Sequence, residues 1–232
     1  MNGQPLGQPV VFSPAARPNP ATVLRGTRVL LRSPQAEDDA KPLFEASHLP
    51  TGDPRIWTYM YDGPYDSVEV FAAALAEKAA SPDPQYRTIV QVGDRLPVGL
   101  CSYMAMVPEH GTIEIGNIWF APALQRTTGA TEAIYLLVSH AFDELGYRRV
   151  EWKCDSLNAR SRAAAERFGF QFEGIFLHHR VVKGHNRDTS WYAITDDRWP
   201  RLRSAYQQWL SPMNFDAAGN QRNSLRALTT AN

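Results

Sequence analysis

At 232 residues and 44% hydrophobic content the chain is long enough to bury one α/β core, and no apolar run approaches the roughly 20 residues that a membrane-spanning helix requires. Lysine plus arginine equals aspartate plus glutamate at 24 each, a balance that argues against bulk nucleic-acid binding. No charged segment followed by an apolar core opens the sequence, so neither a secretory signal nor a membrane partner is expected, and the cytoplasm is the expected compartment.

Residues 1–24 are rich in Pro, Gly, Gln and Asn without periodicity, which predicts an extended or disordered arm, with folding beginning near Leu24. Arg28 to Arg32 alternates as a first strand, and 36–47 and 67–80 read as helices. Tyr86 to Val92 and Pro97 to Val107 form a hairpin across Gly93-Asp94. Thr112 to Phe120 is β-branched and aromatic, with a carboxylate, Glu114, in its middle, and Ala121-Pro122 closes it. A helix follows, with Ala130, Ala133, Ile134, Leu137, Val138 and Ala141 on one stripe that ends at Gly146. Val150 to Cys154 is the next strand, and Asn158 is an N-cap opening a short helix whose Ser161, Ala164, Ala165 and Phe168 share a side before Gly169. Gln171 to Val182 and Arg187 to Ile194 are the last strands, and Asp196 to Leu210 closes the fold as a helix. Residues 211–232 read as a polar, loosely held tail, or as a surface for a second copy if the chain forms a homodimer. With no internal repeat, 25–210 is expected to be one α/β domain, a mixed and strongly twisted sheet flanked by helices.

The turn between the two central elements, Gln125-Arg126-Thr127-Thr128-Gly129-Ala130-Thr131, joins a strand to a helix N-terminus. The first N–H groups of that helix lack intrahelical partners and its dipole adds about half a positive charge, so a phosphate docked on 126–131 would satisfy several donors. The same residues also read as an ordinary turn capped by Thr127 or Thr128. A second strand-to-helix junction, at Asn158, sits downstream. No Gly-x-Gly, Gly-Lys-Ser/Thr or Gly-x-Ser-x-Gly occurs, which removes the dinucleotide, P-loop and hydrolase-elbow motifs. His178, His179 and His185 lack metal-ligand spacing, so no metal is expected.

The two junctions together resemble the GNAT N-acetyltransferases, in particular the RimJ/RimL-like branch, over about residues 25 to 200. The family's acyl-CoA loop, often Gln-Gly-Lys-Gly-Tyr-Ala-Thr-Glu-Ala, is matched at Gln125, Ala130, Thr131, Glu132 and Ala133, whereas Arg126 and Thr128 stand where glycine is usual. The second signature appears as Asn158-Ala159-Arg160-Ser161 through Ala164-Ala165 to Gly169-Phe170. The resemblance implies the GNAT fold with about seven strands, acetyl-CoA as acyl donor, and a primary amine on a small molecule, amino acid or protein N-terminus as acceptor. In that sheet order Cys101 and Cys154 are separated by the strand carrying Glu114, too far apart to pair.

By the same resemblance the cofactor-side residues are Gln125 to Thr131 and Asn158, and the backbone N–H groups of Trp119 and Phe120 polarise the thioester. Glu114 is the candidate base, or else a structural ion-pair partner. The tyrosine that many GNAT enzymes place seven residues after the asparagine is Ala165 here, which leaves Ser161 as candidate donor to the thiolate, or as part of a helix cap. Trp57, Tyr59 and Tyr61 lie where the family places its acceptor cleft, and either cage an amine by cation–π contact or plug the helices onto the sheet. Arg180, Arg187 and Tyr192 are expected to line the same cleft. Thr128 and the missing tyrosine keep open a catalytically weak acyl-CoA-binding regulator, and the fold without chemistry a structural protein.

Overall fold

Residues 3–230 are described by the computed structural model; the first two residues of the arm and the last two of the tail lie outside them. The strands are β1 (Leu24–Arg25), β2 (Val29–Arg32), β3 (Gln85–Gln91), β4 (Pro97–Val107), β5 (Thr112–Phe120), β6 (Arg149–Asp155), β7 (Gln171–Val182) and β8 (His185–Thr195). They form one sheet of eight in the order β1-β2-β3-β4-β5-β6-β8-β7, antiparallel except for β5 beside β6. The strand beyond the expected seven is β1, two residues paired to Leu30 and Leu31. The helices are α1 (Ala36–Ser47), α2 (Val68–Ala80), α3 (Thr128–Ser139), α4 (Ala159–Arg167), α5 (Trp199–Leu210) and α6 (Leu225–Thr230), with a 3-10 turn at Pro54–Tyr59. No described helix is long and apolar enough to cross a membrane.

The sheet carries a core on each face. On one, Tyr103, Ile113, Ile115 and Val150 pack against Ile134, Leu137 and Tyr206 of α3 and α5; on the other, Leu100 and Trp119 meet Leu43, Trp57, Phe71 and Leu75. Ile113 and Ile115 share the parity of Trp119 yet face the opposite core. One extra residue in β5 causes this, because the register passes from Leu100↔Trp119 to Ser102↔Gly116 and Asn117 takes a φ of +50°. Such a bulge inverts the side-chain alternation beyond it. The Asn117 amide donates to Ser102 Oγ at 3.0 Å and holds the kink.

Parts of both ends of the chain pack on the domain. Ala15 is buried, Ala15 N–H donates to Pro108 O and Ala16 N–H to Leu145 O. Fully buried Arg87 donates to the carbonyls of Asn19, Pro20 and Thr22, so this stretch of the Pro-rich arm is held by a cation some 65 residues away. The tail packs as well. Leu225 is buried in the main core, Trp209 Nε1 donates to Gln221, and Arg222 N–H bonds Asn214 O.

Candidate active site

Parallel pairing of β5 and β6 is confined to Thr112 to Glu114 against Arg149 to Glu151. Past Glu114 the bulge turns β5 away, and a cleft of about 1570 Å³ opens between Ile115–Phe120 and Trp152–Asp155. Ala121 N–H donates to Val98 O, and Leu100 faces Trp119 in the same ladder. Alternation therefore turns the Trp119 N–H toward β4 and the Phe120 N–H toward the unpaired edge. Of the two amides expected to polarise a carbonyl, Phe120 is the one aimed at the cleft; the Trp119 side chain is buried in the smaller core.

The N-terminus of α3 forms part of the cleft wall. Thr127 is the cap, its Oγ1 accepting from Ala130 N–H at 3.2 Å. The N–H groups of Thr128 and Gly129 keep no helical partner, so the capped-turn reading and the anion-site reading coexist. Gly129 is buried, and a Cβ there would come within 3.2 Å of both Leu124 and Val29. Arg126 holds a φ of +62°, the left-handed conformation for which glycine is the usual residue. The Gln125 amide fastens the turn to Phe120 O at 2.9 Å, and Thr131 Oγ1 accepts from Arg167 Nη1 at 3.1 Å. Phe215, Gly219 and Gln221 of the tail also line this cleft. At the second junction Asn158 Oδ1 accepts from Ser161 N–H at 3.0 Å, so Asn158 is the cap of α4 and Ser161 contributes only its backbone to it.

The Ser161 hydroxyl has a different role. It accepts from Trp152 Nε1 at 3.0 Å, which leaves its own proton to give, and Cys154 lies beside it. Glu114, 6% exposed, is held at Oε2 by Lys153 Nζ at 2.8 Å, while Oε1 has no hydrogen-bond partner among the described residues. Burial pushes its carboxyl above the usual glutamate range, and Lys153 and Arg187 pull against that rise. Lys153 is shared with Glu151 at 2.7 Å and lies 4.0 Å over the Trp191 ring. The ion-pair reading and the cleft-lining reading of Glu114 are thus both present in one side chain.

On the acceptor side two of the expected residues sit mainly in the cores. Trp57 is 2% exposed, packed edge-on against Tyr65 and Phe71 with Nε1 donating to Ser47 O, as in the plug reading, and it also borders a side cavity. Tyr192 is fully buried in the main core, its hydroxyl accepting from Arg162 Nε at 3.3 Å. Tyr59 and Tyr61 do line the cleft. Arg180 and Arg187, opposite one another in the β7–β8 ladder, both lie over the Tyr61 ring, at 5.9 and 4.8 Å. Among the described residues no group of three or more metal-ligating side chains is placed to hold an ion. Sequence reasoning missed the bulge and Lys153. A glycine within a strand is a bulge signal, and Gly116-Asn117 carried it; nothing local marked Lys153.

The sequence profile of the acetyltransferase (GNAT) domain matches residues 28–171. The crystal structure of a GCN5-related N-acetyltransferase from Brucella melitensis is 39% identical and superposes with a TM-score of 0.90, covering 95% of this chain and 99% of that one. An uncharacterized N-acetyltransferase of Bacillus subtilis, YnaD, is 25% identical over 74% of this chain and 96% of its own length. The microcin C7 self-immunity acetyltransferase MccE, solved in complex with acetyl-CoA and AMP, covers 73% of this chain and 93% of its own with a TM-score of 0.61; at 18% identity that likeness concerns the fold alone.

Proposed function

Because the chain belongs to the GNAT acetyltransferase family, we propose that it moves the acetyl group of acetyl-CoA directly onto a primary amine of a small molecule, an amino acid or a protein N-terminus. The carrying observation is the splayed β5–β6 edge, which opens one cleft lined both by Thr128 at the start of α3 and by Glu114. Thr128 and Gly129 N–H, with the Arg126 guanidinium, take the pyrophosphate. Phe120 N–H receives the thioester oxygen as negative charge grows there. Glu114 Oε1, directly or through water, removes the ammonium proton so that neutral nitrogen attacks the carbonyl carbon. The C–S bond then breaks as Ser161 gives its proton to the departing sulfur, and the proton shed by the new amide nitrogen returns to the serine oxygen, directly or through water. Tyr59 and Tyr61 bound the acceptor side. Serine three residues after Asn158 supports the RimJ/RimL-like branch.

Calorimetry with CoA, followed by a free-thiol assay on acetyl-CoA with a library of amines, tests this reading. Absence of binding at millimolar CoA overturns it, and binding without thiol release for any amine favours an acyl-CoA-binding regulator. Ser161→Ala is expected to lower kcat by about 10²-fold or more while leaving CoA affinity unchanged. Asn158 bonds the backbone of residue 161, so the cap survives the substitution. An unaltered kcat removes Ser161 from the mechanism.

A further inference from the structure

A buried charge is ordinarily paired, because a guanidinium stays protonated and its removal from water is costly. The other arginines of the sheet obey this: half-buried Arg32 has Asp39, and fully buried Arg87, though its Nε is unpartnered, gives its terminal nitrogens to the carbonyls of the arm. Arg187 does not. It is 6% exposed, its Nε is buried without a partner, and neither terminal nitrogen makes a hydrogen bond or ion pair with a described residue. Its close contact is the face of Tyr61, shared with Arg180 from the opposing strand. Like charges opposite one another in a ladder repel, and no described carboxylate pairs with either of these two. The obvious candidate, Asp188, is occupied by His178 N–H and Asn186.

Arg187 also stands where the main cleft meets a side cavity of about 590 Å³, both bounded by Tyr59, Asp155 and Leu157. The side cavity adds Lys183 and His185 to its wall. On the main-cleft side the guanidinium is close enough to Glu114 to draw its carboxyl down. A fork of N–H donors, the Lys183 ammonium, itself bonded to Trp57 O, and the Glu114 carboxylate are therefore brought together within one region.

We propose that the acceptor amine carries an anionic group, a carboxylate as in an amino acid, which Arg187 binds while the amine faces Glu114. This rests on the amine-acetylation reading above and narrows it. Arg187 is a binding residue here, positioned over the Tyr61 ring. The guanidinium fork matches the two oxygens of a carboxylate, and also those of a phosphonate, so the test carries both.

The test compares amines matched except for charge, each as the free acid, its amide and its aminoalkylphosphonate counterpart, by thiol release from acetyl-CoA. Wild type is expected to prefer the acid over the amide by roughly 30-fold or more in kcat/KM, the size of losing one partner of a buried charge pair. A phosphonate used better than the acid overturns the carboxylate assignment. Arg187→Gln is expected to abolish the preference, mainly through KM, with the Kd for CoA unchanged. Because Arg187→Gln removes an unpaired buried charge, its melting temperature should equal or exceed that of wild type. As a readout independent of any variant, the free acid and not the amide should raise the melting temperature of wild type. Equal use of acid and amide overturns the proposal, as does a preference that survives Arg187→Gln, or a loss of CoA affinity in its place. Thiol release without preference defeats this inference alone, whereas no thiol release with any amine defeats the acetylation reading beneath it.

Discussion

Glu114→Gln is expected to lower the acetylation rate at neutral pH by about 10²- to 10⁴-fold, the range general-base groups supply. The loss should shrink as pH rises, because alkaline solution supplies the free amine that the carboxylate otherwise generates. Wild type has a limb of its own at the acid end. Burial raises the Glu114 carboxyl above the ordinary glutamate range, so the base form is lost as pH falls through that raised value, and this limb is absent from the variant. Folding runs the other way. A carboxyl raised in the folded state contributes stability that is present below its unfolded value and lost as pH rises through its folded one. At neutral pH its replacement by a neutral amide therefore removes no stabilising charge. Lys153 retains Glu151, so the variant should melt within about 2–4 °C of wild type. A rate loss of the same factor at every pH, or a collapse in melting temperature, assigns Glu114 to structure.

What could be read in the chain beforehand was local. The stripe of α3 and the cap Asn158 follow from residues three or four apart, while the sequence leaves the cap of α3 open between Thr127 and Thr128, and it is Thr127 in the structure. Strand boundaries followed from alternation, and the hairpin from Gly93-Asp94. What escaped depends on partners far along the chain. The Arg87 side chain that fixes the arm, the Lys153 that holds Glu114 and the burial of Arg187 have no local signature. Aromatic residues exposed a further limit. Trp57, Tyr59 and Tyr61 look alike in sequence, but the 3-10 turn at Pro54–Tyr59 sends the first into the core and leaves the others at the cleft. At β5 the alternation was visible, but its inversion at Asn117 was not, although that inversion separates Glu114 and the cleft amides from a continuous sheet.

The same signature that marks the phosphate turn contains one residue whose role is in folding. Glu132, between Thr131 and Ala133, is 5% exposed and turns away from the cleft to the β1–β2 turn. Its carboxylate accepts from three successive backbone N–H groups, Thr27 at 3.1 Å, Arg28 at 2.7 Å and Val29 at 2.9 Å, with the Arg28 guanidinium at 3.5 Å. This ties α3 to the edge of the sheet. Glu132→Ala leaves those donors without an acceptor, one of the bonds being buried, and should cost about 3–5 kcal/mol. For a domain of this size that is a fall of roughly 6–20 °C in melting temperature. Gly26 supplies an internal check, since a Cβ there would come within 2.5 Å of Glu132 Oε2 and would displace the carboxylate. Gly26→Ala should thus destabilise the wild-type chain substantially but cost little once residue 132 is alanine, a strongly non-additive cycle. CoA affinity, measured well below the melting transition, should be unchanged in Glu132→Ala. Additive losses in the cycle would show that Gly26 and Glu132 act separately, and a fall in CoA affinity with unchanged melting would move Glu132 into the phosphate site.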